Sequence, residues 1–168
     1  MTKTEREMLH KLMARAISSE EFLQKFTVDI SKNPSYLLQL LETAYNDQEK
    51  DDVEYLLIAI FSFNLYKEEF VNILCKLIEA KWHYQHENIA MLFQKLKSPQ
   101  TVECLYKTAL TQFDYLEFDE AFALAVKCIW ALGDINTIEA RQKLELLTQS
   151  ENIIIRENAI QQLNRSSK

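Results

Sequence analysis

Two histidines and a glutamate, His83, His86 and Glu87, are the nearest approach in this sequence to a metal-binding group. On one helix, His83 and His86 would share a face and could both reach one ion. A catalytic zinc helix instead carries two histidines four residues apart with a glutamate between them, which this spacing lacks. The structural alternative is that Glu87 suits the positive end of a helix dipole while the histidines and Trp82 border a groove. We favour this alternative, assign no metal or cofactor, and keep Trp82, His83, His86 and Glu87 as candidate partner-binding residues.

A second cluster alternates carboxylates with large apolar side chains between residues 113 and 120. A cap on the following helix would explain Asp119 at the N-cap and Glu120 in the first turn. The remaining acids exceed what a cap needs, and aromatic side chains beside carboxylates suit a basic protein surface. We therefore predict that the following residues contact a partner: Asp114, Tyr115, Glu117, Phe118, Asp119 and Glu120.

The composition excludes most nucleotide-binding enzymes. The 168 residues include 1 glycine and 2 prolines, too few for the many tight turns of a sheet protein. One glycine also cannot build a Gly-rich phosphate loop. The 3 histidines are scattered, and no Cys-His or Ser-His-Asp arrangement can be assembled from the sequence. We predict a non-catalytic protein with no catalytic residues.

Charge and cysteine content point to a kind of partner and a compartment. The formal net charge is −6, which disfavours nucleic acid and favours a basic protein partner. The three cysteines, Cys75, Cys104 and Cys128, are an odd number and far apart, so we predict reduced, buried thiols in a cytoplasmic protein. Residues 1–15 lack the apolar core of a signal peptide, and the longest apolar stretch, residues 55–63, is too short for a bilayer. We expect no membrane association.

Apolar residues recur at intervals of three and four along nearly the whole chain, which predicts about ten helices joined by short loops. Helix starts are marked by cap signals: Ser18 followed by Glu21, Asn33 before Pro34, Asp52, Ser98 before Pro99, and Asp119. The helix that begins at Asp119 is predicted to end at Leu132 with Gly133 as its C-cap. The last helix is predicted to leave a frayed tail over residues 165–168.

An internal repeat is visible in the second half of the chain. The pattern from Pro99 to Leu105 recurs 39 residues later, from Ile138 to Leu144. The helices that follow match with a shift of 31, and the difference of eight residues falls in the linker 111–118, which is therefore an insertion. A period in the thirties with two helices per unit predicts stacked helical hairpins.

The segments ALGDINTIEARQKLELL (131–147) and SENIIIRENAIQQL (150–163) resemble HEAT repeats. The departure is Ile138, where that family usually has proline. The resemblance implies a right-handed α-solenoid of about five stacked antiparallel helix pairs. It would form one domain over residues 1–168, with clear repeats over about 66–164 and diverged helices over 4–63.

A weaker resemblance concerns WHYQHENI (82–89) and FDYLEFDEAFALAVKCIWALG (113–133), which are similar to stand-alone bacterial HEAT-like immunity proteins of polymorphic or contact-dependent toxin systems. It implies a cytoplasmic inhibitor that neutralises a basic toxin or effector through an acidic-aromatic surface. Two alternatives stay open. One is a HEAT-like lyase that would use Trp82, His83 and His86, and the other is a scaffold or assembly factor.

Overall fold

The computed structural model describes residues 1–165, and every regular element in that range is helical. Residues 166–168, in the predicted tail, lie outside the described residues. The prediction of an all-α fold with about ten helices is confirmed. The α-helices are α1 Lys3–Met13, α2 Ser19–Lys25, α3 Ser35–Asp47, α4 Lys50–Ser62, α5 Val71–Glu79, α6 His86–Leu96, α7 Val102–Leu110, α8 Ala123–Ile135, α9 Ile138–Leu147 and α10 Ile153–Arg165. Short 3-10 helices occur at Glu68–Phe70, Pro99–Thr101 and Asp114–Leu116.

None of the helices within residues 1–165 combines the length and the apolar character that crossing a bilayer requires. The chain divides into two compact units, Met1–Ile73 and Leu74–Lys168.

In the first unit, α4 packs against α1 and α3, and α1 also contacts α2. Apolar side chains spaced three and four residues apart on these helices, such as Leu37, Leu41 and Leu56, are fully buried between them. The ring of Phe22 stacks on Phe26 at 4.6 Å and closes one side of this core.

Asp52, predicted as a helix cap, lies instead inside the first turn of α4, which begins at Lys50. Its carboxylate is buried and accepts two hydrogen bonds from the Arg6 guanidinium of α1, at 2.6 and 3.0 Å. The N-cap position belongs to Glu49. Asp52 therefore joins α1 to α4, because a buried carboxylate requires a charged partner.

In the second unit, α8 is the central helix and packs against α6, α7, α9 and α10. Its apolar residues lie on nearly every side, and Cys128, Ile129 and Leu132 are fully buried. Helices two positions apart in the chain (α6 with α8, α8 with α10, and α7 with α9) are in contact, as in stacked helical hairpins. The second unit thus follows the hairpin pattern that the sequence repeat predicts.

The cap signals at Ser18 and Ser98 are confirmed, because each hydroxyl accepts a hydrogen bond from a backbone amide in the first turn of its helix. The prediction for the end of α8 is wrong. The helix continues past Gly133 to Ile135 and is closed by Asn136 in the left-handed conformation, with φ of 50°. Gly133 is needed for close packing, since a Cβ atom there would lie 2.3 Å from Oε1 of Gln162 on α10.

The prediction of three reduced thiols is wrong for two of them. Cys75 of α5 and Cys104 of α7 form a disulfide, with their Cα atoms 5.7 Å apart. Cys128 is free and fully buried in α8, and burial raises the pKa of its thiol. The disulfide covalently joins α5 to α7 across 29 residues of sequence.

Candidate partner-binding site

Residues 111–122, here called the insertion loop, connect α7 to α8 and contain the eight-residue insertion found in the sequence. Asp119 lies four residues before the first residue of α8. Its carboxylate accepts hydrogen bonds from the amides of Ala121 at 3.1 Å and Ala123 at 2.7 Å. The prediction of Asp119 at the N-cap and Glu120 in the first turn is wrong, because α8 begins four residues later than predicted and its N-cap residue is Phe122. Asp119 still accepts a hydrogen bond from the first amide of the helix. Phe122 has φ of 51°.

Tyr115 ties the insertion loop to α6. Its hydroxyl lies 2.8 Å from Nδ1 of His86, and Nε2 of His86 lies 2.7 Å from the carbonyl oxygen of Ala80. A carbonyl only accepts, so Nε2 carries the imidazole hydrogen and Tyr115 donates to Nδ1. Burial and the nearby Glu87 carboxylate raise the pKa of Tyr115 to about 12, which keeps its hydroxyl protonated as a donor.

His83 is held in the same tautomer. Its Nε2 donates to the carbonyl of Leu77 at 2.8 Å, and its Nδ1 accepts from the amide of Gln85 at 3.0 Å. Its ring stacks on His86 with centroids 4.5 Å apart. Burial, followed by repulsion from His86, lowers the pKa of His83 to about 4, and burial also lowers the pKa of His86. Both rings are neutral at physiological pH.

Neither histidine has exposed surface, so neither can contact a partner directly in this conformation. All four ring nitrogens are already in hydrogen bonds, and a metal ion would have to displace them. Among the described residues, no group of three or more potential ligands is placed to hold a metal ion. The structural contribution of His83 and His86 is to anchor the insertion loop against α6.

Glu87 lies in the first turn of α6 and forms an ion pair with Lys127 of α8. Trp82 is half-buried, with its ring edge-on to His83 at 4.9 Å. Glu87 and Trp82 therefore flank the buried histidine pair, and both keep some exposed surface.

Of the remaining candidates, Phe118 is 90% exposed and Tyr115 is 37% exposed. Tyr84, in the loop before α6, is 59% exposed, although it is not among the residues predicted to bind a partner. The rings of Tyr84 and Tyr115 meet edge-to-face at 5.1 Å, which brings the loop before α6 next to the insertion loop. We name these exposed residues the acidic-aromatic edge: Tyr84, Asp114, Tyr115, Glu117, Phe118 and Glu120.

Beside the acidic-aromatic edge is a groove of about 620 Å³ that the sequence did not predict. Its walls are the end of α7, the insertion loop, the first turns of α8 and the beginning of α10, with Leu110, Phe122 and Ile155 among its apolar residues. These segments are dispersed along some 45 residues of the chain, so no local spacing could reveal them.

The HEAT resemblance and the immunity-protein resemblance stay predictions that rest on the quoted segments. Comparison of the chain with protein-family models, with curated proteins and with solved structures found no match.

Proposed function

We propose that this chain is a non-catalytic binding module that holds a basic protein on its acidic-aromatic edge. The observation that carries the proposal is the exposure of Phe118, 90% in solvent between the carboxylates of Glu117 and Asp119. A phenylalanine that is 90% exposed buries little apolar surface in its own fold, whereas burying it against a partner contributes about 1.5–3 kcal/mol. Large aromatic side chains are also the usual anchors of protein interfaces.

The charge around Phe118 selects the partner. Asp114, Glu117 and Glu120 are exposed on the same loop, and no described lysine or arginine forms an ion pair with them. Exposed carboxylates of one sign attract a positively charged protein and accelerate its association. The net charge of −6 acts in the same direction and repels nucleic acid.

The anchoring of the loop supports recognition by a preformed surface. Tyr115 is hydrogen-bonded to His86, and Asp119 is hydrogen-bonded to the start of α8. A loop held at two points loses less conformational freedom on binding than a free one. A binding protein that must capture its target quickly would benefit from such a surface.

More specifically, we propose that the partner is a basic toxin or effector and that the chain acts as its cytoplasmic immunity protein. The support is the resemblance of residues 82–89 and 113–133 to HEAT-like immunity proteins, together with the acidic-aromatic edge that those segments form. A scaffold role uses the same edge and differs only in the partner. We do not carry the lyase alternative further, because His83 and His86 are buried and hydrogen-bonded.

The experiment is co-expression of the chain with the product of the adjacent gene, with binding measured by calorimetry on the purified pair. We expect rescue of growth and a complex that weakens at high salt. Substituting Phe118→Ala should weaken binding about 10- to 100-fold. Ile138→Ala is the matched control, because Ile138 is 79% exposed on α9 of the same unit.

Two results would contradict the proposal. One is a neighbouring product that neither inhibits growth nor binds. The other is a complex in which F118A and I138A bind as well as the unaltered chain.

A further inference from the structure

The groove beside the insertion loop combines an apolar lining with carboxylates. Leu110, at the end of α7, is half exposed, and Phe122 at the end of the insertion loop and Ile155 of α10 also line the groove. Asp114, Glu117 and Asp119 contribute carboxylates from the insertion loop. None of the residues that line the groove is lysine, arginine or histidine, so its charge is entirely negative.

The three carboxylates are not equivalent. Asp119 is occupied with the amides of Ala121 and Ala123 and is half-buried. Asp114 and Glu117 are exposed, and no described side chain donates to either of them. Two full negative charges are therefore available to an occupant at the mouth of an apolar groove.

The volume indicates how much of a partner fits. About 620 Å³ lies in the middle of the range of roughly 300–1,000 Å³ that encloses drug-sized ligands. A single ion would leave the apolar lining wet, and a whole helix would need a longer groove. Two or three side chains of a peptide segment match the available space.

The chemistry of that segment follows from the lining. A purely apolar segment would cover Asp114 and Glu117 without neutralising them, which costs free energy. An anionic segment would be repelled. Arginine and lysine have aliphatic stems that can cover Leu110 and Phe122 while their charged heads stay at the carboxylates.

The end of the insertion loop that leads into α8 is held by a hydrogen bond. Phe122 adopts φ of 51°, and a bulky side chain seldom tolerates the left-handed region. The Asp119 carboxylate, which accepts from the Ala123 amide, holds this turn closed.

We propose that this groove is the docking site for a short segment of the basic partner in which arginine or lysine stands beside an apolar residue. The inference rests on the proposed function, and it names the part of the partner that is recognised. Phe118, which does not line the groove, would contact the partner outside this segment.

The test uses a fluorescent, amidated hexapeptide of alternating leucine and arginine, with alternating leucine–glutamine and leucine–glutamate peptides as comparisons. Binding is followed by fluorescence anisotropy and by amide chemical shifts of the full chain. We expect the leucine–arginine peptide to bind, to shift amides of the insertion loop and the start of α10, and to weaken at 0.5 M salt. The leucine–glutamate peptide should not bind.

Two groove variants sharpen the test. The double variant D114N/E117Q should weaken the leucine–arginine peptide about three- to tenfold, since exposed charge pairs contribute modestly. Leu110→Ser should also weaken it. The matched controls are E145Q, an exposed carboxylate of α9, and L146S, an exposed leucine of the same helix. Both lie outside the groove lining, and neither should change binding.

The outcomes separate this inference from the proposed function. If the whole partner binds and depends on Phe118 while D114N/E117Q and L110S have no effect, the docking segment is wrong and the proposed function stands. Equal binding of all three peptides would show a nonspecific apolar groove and would overturn the inference. Peptide binding without any protein partner would support the groove chemistry and contradict the immunity role.

Discussion

Lowering the pH from 7.5 to 5 should destabilise the second unit through His83 and His86. Both imidazoles are neutral in the folded protein because burial lowers their pKa, that of His83 from 6.5 to about 4. In the unfolded chain each has its ordinary pKa near 6.5. Below pH 6.5 the two imidazoles therefore bind protons in the unfolded state but stay neutral in the folded state. The stabilisation is complete above pH 6.5 and is lost as the pH falls toward 4.

The magnitude follows from the displaced pKa of His83. Each pH unit between 6.5 and 4 removes up to about 1.4 kcal/mol per displaced histidine, so His83 alone accounts for about 3 kcal/mol over the interval. His86 adds a loss of the same sign. Because domains are usually stable by about 5–15 kcal/mol, this loss should be plain in an unfolding curve.

Urea unfolding followed by tryptophan fluorescence suits the measurement, because both tryptophans, Trp82 and Trp130, belong to the second unit. The Trp82 ring lies 4.9 Å from the His83 ring and reports on this cluster directly. We expect the free energy of unfolding to fall steadily between pH 6.5 and 5. His83→Gln should reduce that slope, whereas His10→Gln, on the exposed side of α1, should leave it unchanged.

A free energy of unfolding that stays constant between pH 7 and 5 would refute this reasoning. So would a slope that is the same in H83Q and in the unaltered protein. If H83Q does not fold, the imidazole proton resonances of the unaltered chain provide the same test, since the His83 signal should titrate near pH 4.

Two further predictions concern the framework of the second unit. Removing the disulfide with Cys75→Ser or with a reductant should lower the free energy of unfolding by about 3–4 kcal/mol, because the bridge to Cys104 closes a loop spanning 29 residues. An unfolding midpoint that is the same with and without reductant would contradict the pairing. Gly133→Ala should destabilise by about 1–2 kcal/mol, since the clash with the buried Gln162 outweighs the better helix propensity of alanine. In a double-mutant cycle, Q162A should relieve part of that cost, and strictly additive effects would show that the two side chains do not interfere.

The helices could be predicted from the sequence because the residue patterns that mark them are local. Intervals of three and four, and the hydroxyls of Ser18 and Ser98, predict elements that the structure contains. The beginning of α8 could not be predicted, because the Asp119 carboxylate reaches over three residues to accept a hydrogen bond from the amide of Ala123. Gly133 was misassigned for a similar reason, since its role depends on a side chain of α10.

The candidate site could be predicted from the sequence only in part. The alternation of acids and aromatics predicted an exposed loop, and Phe118 is exposed. His86 is hydrogen-bonded to Tyr115, a residue 29 positions further along, and local spacing cannot indicate such a contact. The pairing of Cys75 with Cys104 is equally distant in sequence, so their wide separation argued wrongly for free thiols.

The hydrogen bond from Tyr115 to His86 also bears on how this surface could diversify. A loop with no hydrogen bonds to the rest of the protein could be exchanged between relatives without losing its shape. Here the loop carries a hydroxyl that only a neutral imidazole on α6 accepts, so a sequence lifted from residues 111–122 would lose its shape on a foreign framework. New binding specificities should therefore arise by changing the outward side chains, such as Phe118, Glu117 and Tyr84, while the hydrogen bond between the tyrosine and the histidine is retained.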